Sequence, residues 1–209
     1  MTERRQASAA ALGLRVHSGW AALVGLSGPV EAPAVLERRR IEIADPGIDG
    51  SVQPYHAAEE MTVAKAEAYL GRCSAAAERL ARAALGDVVE RLGANGQPVV
   101  ACGLLLASGR PLPALDAVLK SHALIHTADG EHFRTALVHA AEACGLSVST
   151  VKEKDVLVRA AKTIGIQSPR LERLVAEMGK PLGPPWRQDE KLATLVAWVA
   201  LAEGPPPAR

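Results

Sequence analysis

The chain has 209 residues, the length of one domain or of one domain plus an accessory segment, and is 48% apolar and 22% charged; this excludes a disordered chain, a collagen-like repeat and a disulfide-rich miniprotein. Lys and Arg number 24 and Asp and Glu 23, a net charge of +1, so any electrostatic footprint for a nucleic acid must be local. Aromatic residues make up 3%, which argues against an extended base-stacking platform and leaves the core to Ala, Leu and Val.

Residues 1–10 are polar and Ala-rich and are expected to fray. The apolar runs 11–16 and 21–26, separated by His17-Ser18-Gly19-Trp20, predict a hairpin, and Ser27-Gly28-Pro29 ends its second strand. Residues 34–44 predict a third strand, where Ile41 and Ile43 alternate with Arg40 and Glu42 as on a half-exposed edge. The run Arg38-Arg39-Arg40 reads there as a solvated edge charged against aggregation. After a loop over 45–54, residues 57–92 predict a helix with Leu80, Ala84, Val88 and Leu92 at helical spacing, stopped by Gly93-Ala94-Asn95-Gly96.

Residues 98–106 form a continuous apolar run, the pattern of a strand covered on both faces. A turn at Ser108-Gly109-Arg110-Pro111 follows, then helices over 113–125 and 128–143 and a short strand over 146–151. Helices over 152–164 and 169–178, a linker at Gly183-Pro184-Pro185, a last apolar helix over 188–202 and a tail over 204–209 complete the chain. The predicted fold is α/β: a five-stranded mixed sheet, three antiparallel strands and then parallel ones, with helices on both faces, as a single domain over 11–203.

Cys73, Cys102 and Cys144 stand far apart with no CxxC pattern, which suggests reduced thiols and a cytoplasmic protein. Arg15 and His17 interrupt the first apolar stretch, and no run approaches the roughly 20 residues of a membrane helix, so no membrane partner is expected.

The segment Leu12-Gly13-Leu14-Arg15-Val16-His17-Ser18-Gly19, the run from Pro98 to Gly103, and Gln188-Asp189-Glu190-Lys191-Leu192-Ala193 carry a resemblance. In this order they resemble the ribonuclease H-like superfamily, and within it the RuvC branch of Holliday-junction resolvases, over nearly the whole chain. The resemblance implies a site where four carboxylates from three elements hold two divalent cations that activate water and stabilise the leaving oxygen of a phosphodiester. At the matching places this chain has Arg15 for the first-strand Asp, Cys102 or Gly103 for the central-strand Glu, and Arg187 and Glu190 for the two acids of the last helix, with Asp189 beside them. It therefore implies that the catalytic carboxylates are mostly replaced, with no catalytic residue, no metal and no cofactor retained.

The candidate site that follows is an anion- or nucleic-acid-binding one: Arg15, His17, Ser18, Arg187, Asp189 and Glu190, two guanidinium forks matching a phosphate or carboxylate. A secondary pocket candidate comprises His122, His126, Glu131 and Arg134. His122 and His126, four apart, share a helix face with Leu115 and Leu119; the spacing can ligate zinc, but no third ligand is evident, and core or interface histidines are the preferred reading. Thr127 or Asp129 reads as a helix cap, Glu131 as a first-turn acid, and Cys102 as an inert core thiol. No P-loop, GxGxxG or GxSxG pattern occurs.

The preferred function is a binding module for nucleic acid or a protein partner, leaning away from an enzyme. The alternatives are an enzyme with a rebuilt site of His17, His126 and Glu131, and a homo-oligomeric structural protein, a homodimer for instance, with Leu195, Trp198 and Val199 of the last helix packing either on the core or on the second subunit.

Overall fold

The computed structural model describes residues 8–107 and 111–204. Of the segments expected to fray (1–10), turn (108–111) and trail (204–209), residues 1–7, 108–110 and 205–209 lie outside the described residues, and the fraying is corrected at Ala10, which is fully buried at the start of the first strand. Strands β1 (Ala10–His17) and β2 (Trp20–Ser27) form the hairpin, paired from Ala10↔Ser27 to His17↔Trp20. Strand β3 (Ala34–Glu42) adds antiparallel to β2. A one-turn helix α1 (Pro54–Ala57) precedes the long helix α2 (Val63–Ala94), and β4 (Val99–Leu106) returns parallel to β1. Helices α3 (Leu115–Leu119) and α4 (His122–Ala143) lead to β5 (Ser147–Lys152), parallel to β4. A 3₁₀ turn (Glu153–Asp155), α5 (Val156–Ile164), α6 (Ser168–Met178), a second 3₁₀ turn (Lys180–Leu182) and α7 (Gln188–Glu203) follow. The strand order is β3-β2-β1-β4-β5, the mixed five-stranded α/β arrangement expected from the sequence.

Side chains alternate across the sheet, so each strand serves two cores. Leu12 and Leu14 of β1 and Cys102 and Leu104 of β4 pack against α2 and α4, through Ala77, Ala81, Leu85, Phe133 and Leu137. On the other face Val24, Leu26 and Leu105 meet α5, α6 and α7, where Trp198 is buried and its indole N–H donates to Val30 O at 2.8 Å. Helix α7 is buried on every side from Leu192 to Ala200, as its uniformly apolar sequence requires. Its closeness to the sheet rests on missing side chains: a Cβ on Gly13 would lie 2.0 Å from Ala193 O, and one on Gly103 2.3 Å from Val196 O.

Three further expectations are corrected. The buried stripe of α2 runs through Cys73, Ala77, Ala81, Leu85, Val88 and Leu92, so Leu80 and Ala84 sit at its margin. The basic run of β3 is not a freely solvated edge. Arg38 donates to the carbonyls of Leu182, Gly183, Pro184 and Pro185, binding the linker before α7 to the sheet. Arg39 pairs with Glu37 and Asp87, and the Arg40 guanidinium lies 3.9 Å from the Trp20 ring centroid. Finally, residues 121–134 do not join two helices. Apart from Ser121 at its start they lie inside α4, so Asp129 is not a cap, and the Thr127 hydroxyl donates to Ala123 O one turn back.

Candidate functional site

The carboxyl ends of β1, β4 and β5 point to one edge, and the first turn of α7 projects over it. Arg15 leaves β1 there, two residues beyond Gly13 and on the same face. Its Nε and Nη2 donate to the two oxygens of Glu153, at 3.0 and 2.9 Å, a bidentate fork. Its Nη1 donates to Asp189 Oδ1 on α7. The ring of His17 donates from Nε2 to the same Asp189 oxygen at 2.8 Å. Asp189 is thus the meeting point of two donors from β1, and Arg15 the meeting point of two carboxylates from β5's end and α7.

These contacts set the charges. The hydrogen bonds donated to Glu153 lead in raising the Arg15 pKa, against burial, which opposes them, with Asp189 adding to the rise. Burial alone would raise the Asp189 carboxyl, but the bonds from His17 and Arg15 outweigh it and hold the group below the ordinary range. The cluster sets one guanidinium against two carboxylates, so every charge in it has a partner, and it remains partly open to solvent, Arg15 keeping 20% of its side-chain surface exposed.

Beside it, on the same sheet face, Trp20 stacks on His17 with ring centroids 4.2 Å apart and planes within 9°. Arg40 from β3 covers Trp20. The register explains the row: Trp20 pairs with His17, while Arg15 and Arg40 both pair with Ala22. The result is a half-exposed shelf, Arg40–Trp20–His17, ending at the Arg15 network.

Of the residues expected here, Arg15, His17 and Asp189 come together. Ser18 is exposed in the hairpin turn and Arg187 is exposed ahead of α7. The Glu190 carboxylate accepts the Arg187 backbone N–H at 2.7 Å, an N-terminal cap of its own helix. The two guanidinium forks therefore do not converge. Glu153 escaped sequence reading because it follows β5 immediately, in residues expected to be helical. Trp20 and Arg40 were legible in principle, since a two-residue hairpin turn fixes the His17–Trp20 pair.

The secondary candidate divides in two. Arg134 donates to Leu105 O at 3.2 Å and ties α4 to the end of β4, while Glu131 pairs with Arg134 within the helix. His122 and His126, by contrast, project from the exposed side of α4 and meet His56 of α1, one ring nitrogen from each lying within 4.8 Å of the other two. They do not share an apolar face with Leu115 and Leu119, which lie on the separate helix α3. His17, His126 and Glu131 belong to three different clusters, so the residues of the alternative enzyme site are not assembled. Cys102 is fully buried, and burial pushes its thiol up to about 12, as expected of an inert core thiol.

The sheet order, the helices on both faces and the position of α7 define a ribonuclease H-like fold. No protein-family model matches the chain, and no curated protein matches it by sequence. Among solved structures it is similar to Thermus thermophilus RuvC in complex with a Holliday-junction substrate, with a TM-score of 0.51, 13% identity, and coverage of 91% of this chain and 90% of that one. A second structure of Thermus thermophilus RuvC gives a TM-score of 0.48 at 13% identity, covering 91% of this chain and 92% of the other. No helix among the described residues is long and apolar enough to cross a membrane.

Proposed function

We propose that this chain is a nucleic-acid-binding domain on a RuvC-like scaffold, and that it does not cut its ligand through paired divalent cations. The observation that carries the reading is the Arg15 fork, closed by Glu153 and Asp189 at the carboxyl end of β1. The donor set there does not fit a pair of Mg²⁺ ions. Such ions need several free carboxylate oxygens, whereas both oxygens of Glu153 are held by Arg15 and Glu190 is turned to its own helix. Cys102 is a buried neutral thiol and Gly103 offers no side chain. A cation at this place would face a guanidinium rather than a ligand.

What supports binding is the likeness in fold to a structure that holds a Holliday junction, together with the neighbouring shelf. Arg40, exposed and paired with Glu42, offers a cation for a phosphate, and Trp20, stacked on His17 and covered by Arg40, holds that cation in place.

The test is fluorescence anisotropy with a four-way junction and a linear duplex across a salt series, run beside a cleavage assay with Mg²⁺ and Mn²⁺. Binding that weakens steeply with salt, weakens again in Trp20→Ala and Arg40→Ala, and leaves the DNA intact is expected. Metal-dependent cleavage overturns the non-catalytic half. Absence of binding at low salt, with a mass that rises with protein concentration, overturns the binding half in favour of an oligomeric scaffold.

A further inference from the structure

Helix α1 is one turn long, yet it is fixed firmly to α4. Asp129, buried in the middle of α4 with 3% of its surface exposed, accepts the Tyr55 backbone N–H through Oδ1 at 2.7 Å and the His56 Nδ1–H through Oδ2. A buried carboxylate requires such partners. The arrangement fixes the tautomer of His56, because a ring that donates from Nδ1 to a carboxylate keeps its Nε2 lone pair free.

That imidazole stands against two others. His122 and His126 occupy successive turns of α4 and face the same way, with their Nε2 atoms 3.0 Å apart. Ring centroids are 4.4 Å apart for His56 and His126, 5.3 Å for His56 and His122, and 4.5 Å for His122 and His126. The planes cross at 64°, 90° and 78°, so the rings surround a point rather than stack.

We propose that His56, His122 and His126 bind a divalent transition-metal ion, zinc foremost, with Asp129 as the group that orients His56. Three imidazoles suit zinc and its neighbours, while Mg²⁺ prefers oxygens. Tetrahedral Zn–N bonds of roughly 2.0–2.1 Å place ligand nitrogens about 3.3 Å apart, so the His122–His126 pair needs to open by only a few tenths of an ångström. A carboxylate behind a ligating histidine is the usual outer support of a zinc site. His122 and His126 are exposed, which leaves the fourth position to water or an incoming ligand. The site uses α1 and α4 and none of the residues of the Arg15 network, so it stands or falls independently of nucleic-acid binding.

Isothermal titration of the chelator-treated full chain with zinc alone, paralleled by the visible spectrum with cobalt, tests it. One ion per chain is expected, with a tetrahedral cobalt spectrum. His122→Ala and His126→Ala, both exposed and harmless to the apo fold by thermal melt in chelator, should each weaken zinc at least tenfold. Asp129→Asn should weaken it about ten- to a hundredfold. Zinc binding unchanged in the two alanine variants, no binding at all, or equal binding of Mg²⁺ overturns the proposal.

Discussion

Gly13 and Ala193 touch backbone to backbone: a Cβ on the glycine would reach the alanine carbonyl oxygen at 2.0 Å and the Ala197 nitrogen at 2.7 Å. This contact, with its counterpart at Gly103, seats α7 directly on β1 and β4. It also delivers Asp189, one turn before Ala193, to the end of β1 where Arg15 and His17 emerge. The packing of a helix and the geometry of the site are therefore one feature.

Gly13→Val and Gly103→Val should each cost about 3 kcal/mol, because overpacking here meets helix backbone that cannot yield as a side chain would. Gly86→Ala, in the interior of α2 with nothing within 4 Å of the added carbon, should instead stabilise by roughly 0.5–1 kcal/mol through helix propensity. Urea unfolding measures all three. A mild effect at Gly13 equal to that at Gly86 would show that α7 does not sit on the glycine.

The strand order was legible because β1, β2 and β4 are long apolar runs broken by clear turns, and because Ile41 and Ile43 mark β3 as half-covered. The ion-pair geometry was not. Arg15 and Asp189 are 174 residues apart, and nothing local says that Arg15 will meet Glu153 rather than Arg187. Arg38 reads as a surface charge until the linker carbonyls of 182–185 are folded over it. His56 lies in a Gly- and Pro-rich stretch without periodicity, and only the docking of α1 on Asp129 carries it to His122 and His126. Spacing found the pair that lies on one helix; the third imidazole required tertiary structure.

Acid should weaken the wild-type fold through Asp189. Its folded pKa lies below the value of an unfolded aspartate, about 3.9. Its stabilising contribution is therefore complete above that pH and is lost as pH falls through the lowered folded value. Asp87, held low by Arg39 against an opposing desolvation, acts in the same direction, so the wild type alone does not isolate one group. Comparing wild type with Asp189→Asn does: the gap in stability should be largest at pH 5–7 and close steadily below about pH 4. Thermal melts across that range measure it, and a gap that stays constant would mean the carboxylate does not bind Arg15 and His17 as an anion.

Arg15→Met keeps the apolar stem of the side chain and removes the fork. Glu153 and the buried side of Asp189 then lose a charged donor, and the cost should be about 1–3 kcal/mol, the range for stranding partly buried polar groups. The same change in a Glu153→Gln background should cost less, giving a coupling energy of roughly 0.5–3 kcal/mol in a double-mutant cycle. Because the fork is already filled by the chain's own carboxylates, affinity for DNA or inorganic phosphate should be unchanged in Arg15→Met when measured well below its melting temperature. Loss of stability with unchanged binding identifies Arg15 as the clamp between β1, Glu153 and α7. Anion affinity reduced tenfold or more, with stability intact, would identify it instead as the anion receptor and show that Glu153 and Asp189 give way to the ligand.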